Sequence, residues 1–151
     1  MRWTEYFRNL AHQVKLKSKD ENTQIGAVIV GVDKEIVSTG YNSFPRGLSD
    51  NIKERQERPE KYYWFEHAER NAIYNAARIG VSTKGTTMYL SCGIPCADCA
   101  RGIINAGITR IFCERADSTK GEHWGESQER SWEMFVEADV KICFYDESYH
   151  V

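Results

Sequence analysis

Two short stretches constrain this chain more than any others: FEHAERNAI at residues 65–73 and IPCADCARGIINAG at residues 94–107. Each places reactive side chains where a helix begins. In the first, His67 and Glu69 stand two apart. A helix face pairs residues three or four apart, so this spacing suits a helix end rather than a helix face. In the second, Cys96 and Cys99 stand three apart and follow Pro95, a residue suited to a helix start. Both thiols then leave one side of a first turn, at the positive end of the helix dipole, where thiolates are favoured. Between the two helices lies GTTMYLSC, which reads as a strand. The two helix N-termini can then meet beyond the strand ends, where open α/β sheets bind ligands.

The rest of the pattern supports such a sheet. Trp3, Phe7, Leu10, Ala11 and Val14 recur with helical period, so residues 3–17 read as an amphipathic helix. SKDENT is a polar loop, and QIGAVIVG and EIVSTGYN read as a hairpin joined at VDK. SFPRGLSDNIKERQERPEKYYW is long, charged and without period, apart from a short helix near residues 51–57. A loop of that length inside a compact domain reads as a functional excursion. HAERNAIYNAARIG is a helix stopped by Gly80, and the cysteine helix stops at Gly107. TRIFCE is a strand, RADSTKGEHWG a loop, ESQERSWEMFVEAD a helix and VKICFYD a last strand. After the hairpin, helices and strands alternate. The expectation is an α/β fold: a three-layer α/β/α sandwich with a mixed five-stranded sheet, formed by one domain over residues 1–151.

Composition narrows the function classes. A net charge of -2 gives no electrostatic reason to expect a nucleic-acid polymer as partner. No apolar run approaches a membrane span, and the first residues lack a signal-peptide core. Five cysteines, an odd number, suit reduced thiols or metal ligands in a cytoplasmic setting. Two thiolates and one imidazole match a zinc set, with His67 the third ligand beside Cys96 and Cys99. Three protein ligands leave a fourth position for water, the catalytic pattern, and Glu69 then fits as an acid/base outside the metal shell. The combination H-x-E and P-C-x-x-C is the signature of zinc deaminases. Other readings are weaker. A redox C-x-x-C would sit after the first strand, and a structural zinc would need Cys92 as a fourth ligand from across the Gly93–Pro95 turn. Cys113 and Cys143 read as buried hydrophobes, His12 and His150 as surface residues, and His123 as a loop residue.

With these motifs in this order, the chain resembles the cytidine deaminase superfamily and, within it, the deoxycytidylate (dCMP) deaminases. The resemblance covers about residues 3–145 and rests on SKDENTQIGAVIV, GYNSFPRG, HAERNAI, PCADCARGIINAGI and the Trp124–Val140 stretch. It is less close to tRNA adenosine deaminases, which carry P-C-x-M-C and a basic surface. The resemblance implies a cytidine deaminase-like fold and Zn2+-dependent hydrolytic deamination of dCMP to dUMP, with release of ammonia, for thymidylate synthesis. It implies water activated at zinc for attack at C4 of the base, with Glu69 protonating N3 and then the departing amine. The Ala68 N–H would receive the base carbonyl oxygen, Asn42 would contact sugar or base, and Asn71 would order the pocket. Lys19 and Thr23, with Arg115 and Lys120 after the fourth strand, are candidates for the 5′-phosphate. Trp124 would lie over sugar or base.

Family members are commonly homohexamers, activated by dCTP and inhibited by dTTP. A triphosphate effector, with Mg2+, is therefore an expected partner beside dCMP. Its candidate residues are Gly40, Tyr41, Ser43, Phe44 and Arg46. Ser43 stands where the family's G-Y-N-G has a glycine, which removes left-handed freedom at that position. Three alternatives remain open. One is a dCTP or dual dCMP/dCTP deaminase; another is an editing deaminase of tRNA or a single-stranded polynucleotide. The third, from another class, is a non-catalytic zinc-stabilised interaction module.

Overall fold

The computed structural model describes residues 1–147, so His150 lies outside the described residues. Strands β1 (Gly26–Val30), β2 (Ile36–Tyr41), β3 (Thr87–Leu90), β4 (Arg110–Cys113) and β5 (Lys141–Phe144) form one sheet in the order β2-β1-β3-β4-β5. β1 is antiparallel to β2 and β3, whereas β3, β4 and β5 run parallel. The helices are α1 (Trp3–Val14), α2 (Lys61–Trp64), α3 (Ala68–Ile79), α4 (Ala97–Asn105) and α5 (Glu126–Glu137).

Period-two alternation along the strands feeds two separate cores. Val28, Val30, Tyr89, Phe112 and Cys143 face Phe7 and Ala11 of α1. Ala27, Ile29, Met88, Leu90, Ile111 and Cys113 face α3, α4 and Phe135 of α5. Helices therefore cover both faces, the three-layer mixed sandwich that the alternation of elements predicts. Because both faces are covered, every residue of β1 is buried.

The placement of α3 decides where the functional groups go. Ser38 Oγ donates to the Ala72 carbonyl at 2.7 Å, and Asn75 Nδ2 donates to the Thr39 carbonyl at 2.7 Å. Asn71 Nδ2 donates to the Tyr41 carbonyl at 2.8 Å. This contact is close enough that a Cβ at Gly40 would stand 2.3 Å from the Ala72 nitrogen. Gly40 is thus a packing requirement between β2 and α3. The left-handed Gly80 (φ 79°) stops α3, and Gly107 (φ 81°) ends the turn after α4.

Two details differ from the sequence pattern. Residues 15–17 tighten into a 3-10 turn rather than continuing α1. The excursion before His67 is also more ordered than its composition suggests. It holds a 3-10 turn at Lys53–Gln56 and the single turn α2, and its ends are pinned by an antiparallel bridge between Ser43 and Glu66. Ser43 does not adopt positive φ, so a glycine is not required there.

Candidate active site

His67 and Cys96 are the N-cap residues of α3 and α4. Both have extended backbones, and neither side chain caps its own helix. The side chains are therefore free to point past the helix ends. His67 Nδ1 lies 3.4 Å from Cys96 Sγ and 3.3 Å from Cys99 Sγ. Cys99 comes from the third residue of α4, so the spacing of three brings both sulfurs to one side of the first turn. The cap that Cys96 does not supply comes from α5, where Ser127 Oγ accepts the Ala97 N–H at 2.8 Å.

This trio passes a test for zinc. Tetrahedral bonds of ordinary length put nitrogen and sulfur ligands about 3.5 Å apart, close to the distances seen. The donor atoms all lie within 4.8 Å of one another, with His67 open to the cavity, Cys96 half-buried and Cys99 buried. Cys92 is not part of the cluster, and its thiol donates instead to the Gly93 carbonyl. Hydrogen bonding with Cys99, then with His67, holds the Cys96 thiol down at about 4 against the opposing effect of burial. The same contact with Cys96 raises His67, while Cys99, whose proton Cys96 shares, is pushed up. Two helix N-termini converge on this cluster and favour the negative sulfur.

Glu69 stands beside the trio at the floor of a cavity of about 660 Å3. It is 3% exposed, and its Oε1 has no hydrogen-bond partner among the described residues. Burial raises its pKa. A buried carboxyl oxygen without a partner is costly, and in a native fold it points to a group that binds there. As the first residue of α3, Ala68 has an N–H without an intrahelical acceptor, and the His67 side chain does not take it.

The cavity wall brings together some of the sequence candidates. Thr23 and Asn42 line it, with Asp20, Ile25, Lys61 and Gln128. Asn42 is a scaffold for this wall. Its Oδ1 accepts the Ile25 N–H at 2.9 Å, while its Nδ2 donates to the Thr23 carbonyl at 2.8 Å and to Asp20 Oδ2 at 3.3 Å. Behind it, Lys61 Nζ donates to Asp20 at 2.8 Å, and both side chains are buried. Burial works upward on the Asp20 carboxyl, but the bonds from Lys61 and from the Asn22 and Thr23 amides outweigh it and hold the pKa down.

Other candidates lie elsewhere. Lys19 pairs with Asp50 at 2.7 Å and lines a second cavity, as does Asn71. Arg115 pairs with Asp146 at 2.9 Å, and Lys120 approaches Asp117 at 3.8 Å. Trp124 packs against Trp132 and Phe144 in the core beneath α5 rather than lining the cavity. Of the candidates for an effector, Tyr41, Ser43, Phe44 and Arg46 line the second cavity, whereas Gly40 is buried under α3. The sequence reading missed Asp20, Arg58, Lys61, Arg70 and Gln128 as lining residues. Asp20, Arg58 and Lys61 stand in the charged segments between the strands and long helices, whereas Arg70 and Gln128 lie in the first turns of α3 and α5.

Residues 1–115 match the profile of the cytidine and deoxycytidylate deaminase zinc-binding region. The chain belongs to this deaminase family. An uncharacterized deaminase of the luxG 3′ region of Aliivibrio fischeri is 37% identical over 143 residues, 95% of this chain and 93% of that one. Human deoxycytidylate deaminase is 40% identical over 117 residues, 74% of this chain, and the match spans 64% of the human protein's length. Among solved structures, the dCMP deaminase of cyanophage S-TIM5 in complex with dCMP and dUMP shares the deaminase fold. It has a TM-score of 0.73 at 20% identity and covers 93% of this chain and 94% of that one.

Proposed function

We propose that this deaminase converts dCMP to dUMP and ammonia, with residues 1–151 acting as one catalytic domain. The observation that carries the chemistry is the unpartnered, buried Glu69 oxygen beside a His67, Cys96 and Cys99 donor set. The nucleotide substrate rests on the likeness to deoxycytidylate deaminases over most of the chain. Bound to those three donors, zinc supplies the Lewis acidity that makes water a usable nucleophile near neutral pH.

The remaining work falls to the protein. Glu69 takes a proton from the attacking water and delivers it to N3, then takes the remaining proton from the new C4 hydroxyl and delivers it to the amine, which leaves as ammonia. A carboxyl group whose pKa burial has raised is suited to both accept and return a proton near neutral pH. The free Ala68 N–H receives the base carbonyl oxygen and sets the ring's register against Glu69. Asn42 holds Thr23 and Asp20 in the wall against which the sugar lies.

The second cavity, about 520 Å3, suits a triphosphate effector. Lys17, Arg46 and Arg78 offer positive charge, and Tyr41, Phe44 and Tyr74 offer aromatic surface. Phe65 lines both cavities and its ring lies 4.2 Å from that of Phe44, which supplies a packed connection between them. Mg2+ would accompany the triphosphate. A cytoplasmic homohexamer in pyrimidine nucleotide synthesis is the setting implied by family resemblance. Ammonia release by the zinc-loaded protein tests the reading. Turnover of dCMP is expected, with none from tRNA or single-stranded oligonucleotides. Release from a polynucleotide alone would overturn it.

A further inference from the structure

The cationic candidates that the sequence suggested for the 5′-phosphate, Lys19, Arg115 and Lys120, are engaged elsewhere, so the cations lining the catalytic cavity must be compared directly. Lys61 is buried and neutralised by Asp20. Arg70 pairs with Glu66 at 2.7 Å and lies 3.9 Å from Asp98. Arg58 is different. It lines the same cavity, is exposed, and forms no ion pair with a carboxylate among the described residues. Its guanidinium instead lies over the Tyr62 ring, 5.8 Å from the centroid, and Tyr62 also lines the cavity.

A phosphate entering this cavity meets an unfavourable field without Arg58. The acids Asp20, Glu66, Glu69 and Asp98 line it, and Lys61 and Arg70 are already matched to three of them. A nucleoside would tolerate this balance, whereas a nucleoside monophosphate brings up to two further negative charges. An arginine suits the task, because its planar fork can bind two phosphate oxygens at once. The aromatic face beneath the guanidinium limits its freedom, so less is lost on binding. The polarity of the substrate also fits. Glu69 and the metal donors act at the base from the cavity floor, which places the 5′ end towards the exposed rim where Arg58 stands.

We propose that Arg58 receives the 5′-phosphate and thereby sets the preference for the nucleotide over the nucleoside. The inference rests on the dCMP reading above. The test compares dCMP with deoxycytidine in the zinc-loaded wild type, Arg58→Gln, Arg58→Lys and Lys19→Gln. It also uses calorimetric binding of dUMP against deoxyuridine as a readout independent of turnover. Arg58→Gln should lower kcat/KM for dCMP on the order of 10- to 100-fold, mainly through KM, and weaken dUMP binding in parallel. Its deoxycytidine kinetics and thermal midpoint should stay within about twofold and about 2 °C of wild type. Arg58→Lys should recover part of the loss, as a point charge without the fork. Equal losses for dCMP and deoxycytidine, no loss for dCMP, or a selective loss in Lys19→Gln instead would overturn the assignment. A wild type inert towards dCMP would instead overturn the substrate reading itself, so the two failures are distinguishable.

Discussion

Asp20 and Lys61 offer a quantitative test of how the cavity wall is held. Their charged groups meet at 2.8 Å, with side chains only 5% and 10% exposed. Breaking a buried pair by removing one partner typically costs about 3–5 kcal/mol, because the remaining charge is stranded. Here the two truncations are not equivalent. After Lys61→Met, the Asp20 carboxylate keeps the Asn22 amide at 2.8 Å, the Thr23 amide at 3.1 Å and the Asn42 amide at 3.3 Å. The cost should fall to about 2–3 kcal/mol. After Asp20→Ala, the buried ammonium keeps only the face of Phe65 at 5.3 Å, and the full cost of about 3–5 kcal/mol should appear. At about 2–4 °C per kcal/mol for a chain of this size, the melting temperature should drop by roughly 4–12 °C for Lys61→Met and roughly 6–20 °C for Asp20→Ala.

Urea unfolding at pH 7 measures both variants, and the double variant closes the cycle. It should be more stable than Asp20→Ala alone, because no charge is left buried. The pH dependence follows from the lowered pKa of Asp20. The folded state binds its proton less tightly than the unfolded chain does. The pair's contribution is therefore complete above the ordinary carboxylate range near pH 4 and is lost as pH falls through the lowered folded value. A Lys61→Met variant as unstable as Asp20→Ala, or costs that simply add in the double variant, would refute this reasoning.

Three further outcomes are expected. Glu69→Gln should cut ammonia release by about 10²- to 10⁴-fold while zinc content stays at wild-type level and stability is unchanged or improved, since an unpartnered buried oxygen is exchanged for a neutral amide. Parallel kinetics, metal analysis and melting curves check it. Cys99→Ala should abolish stoichiometric zinc and also the chelator-induced fall in melting temperature expected of the wild type, because only a folded site adds binding energy to stability. Gly40→Ala sets a Cβ 2.3 Å from the Ala72 nitrogen. It should cost about 1–3 kcal/mol or more and lower zinc occupancy with it, since α3 carries His67.

The element pattern was readable because it is local. Apolar period, glycine stops and β-branched runs place every strand and the long helices where the structure has them. α2 escaped this reading because a single turn has no period to detect. The convergence of His67, Cys96 and Cys99 was also legible, since each ligand's position is set by its own helix start. The loop residues behaved otherwise. Lys19, Arg115 and Trp124 lie in segments with plausible chemistry, yet Asp50, Asp146 and the Trp132–Phe144 rings engage them.

The donor set, the proposed acid/base residue and the order of strands and helices along the chain belong to the sequence, because short-range spacing and helix-end geometry specify them. The cavity wall belongs to the tertiary structure. Asp20 meets Lys61 across 41 positions of chain, and among the described residues no carboxylate pairs with Arg58. Ion pairs between loops depend on where the packed sheet and α3 bring distant segments together. No local pattern in the chain encodes that juxtaposition.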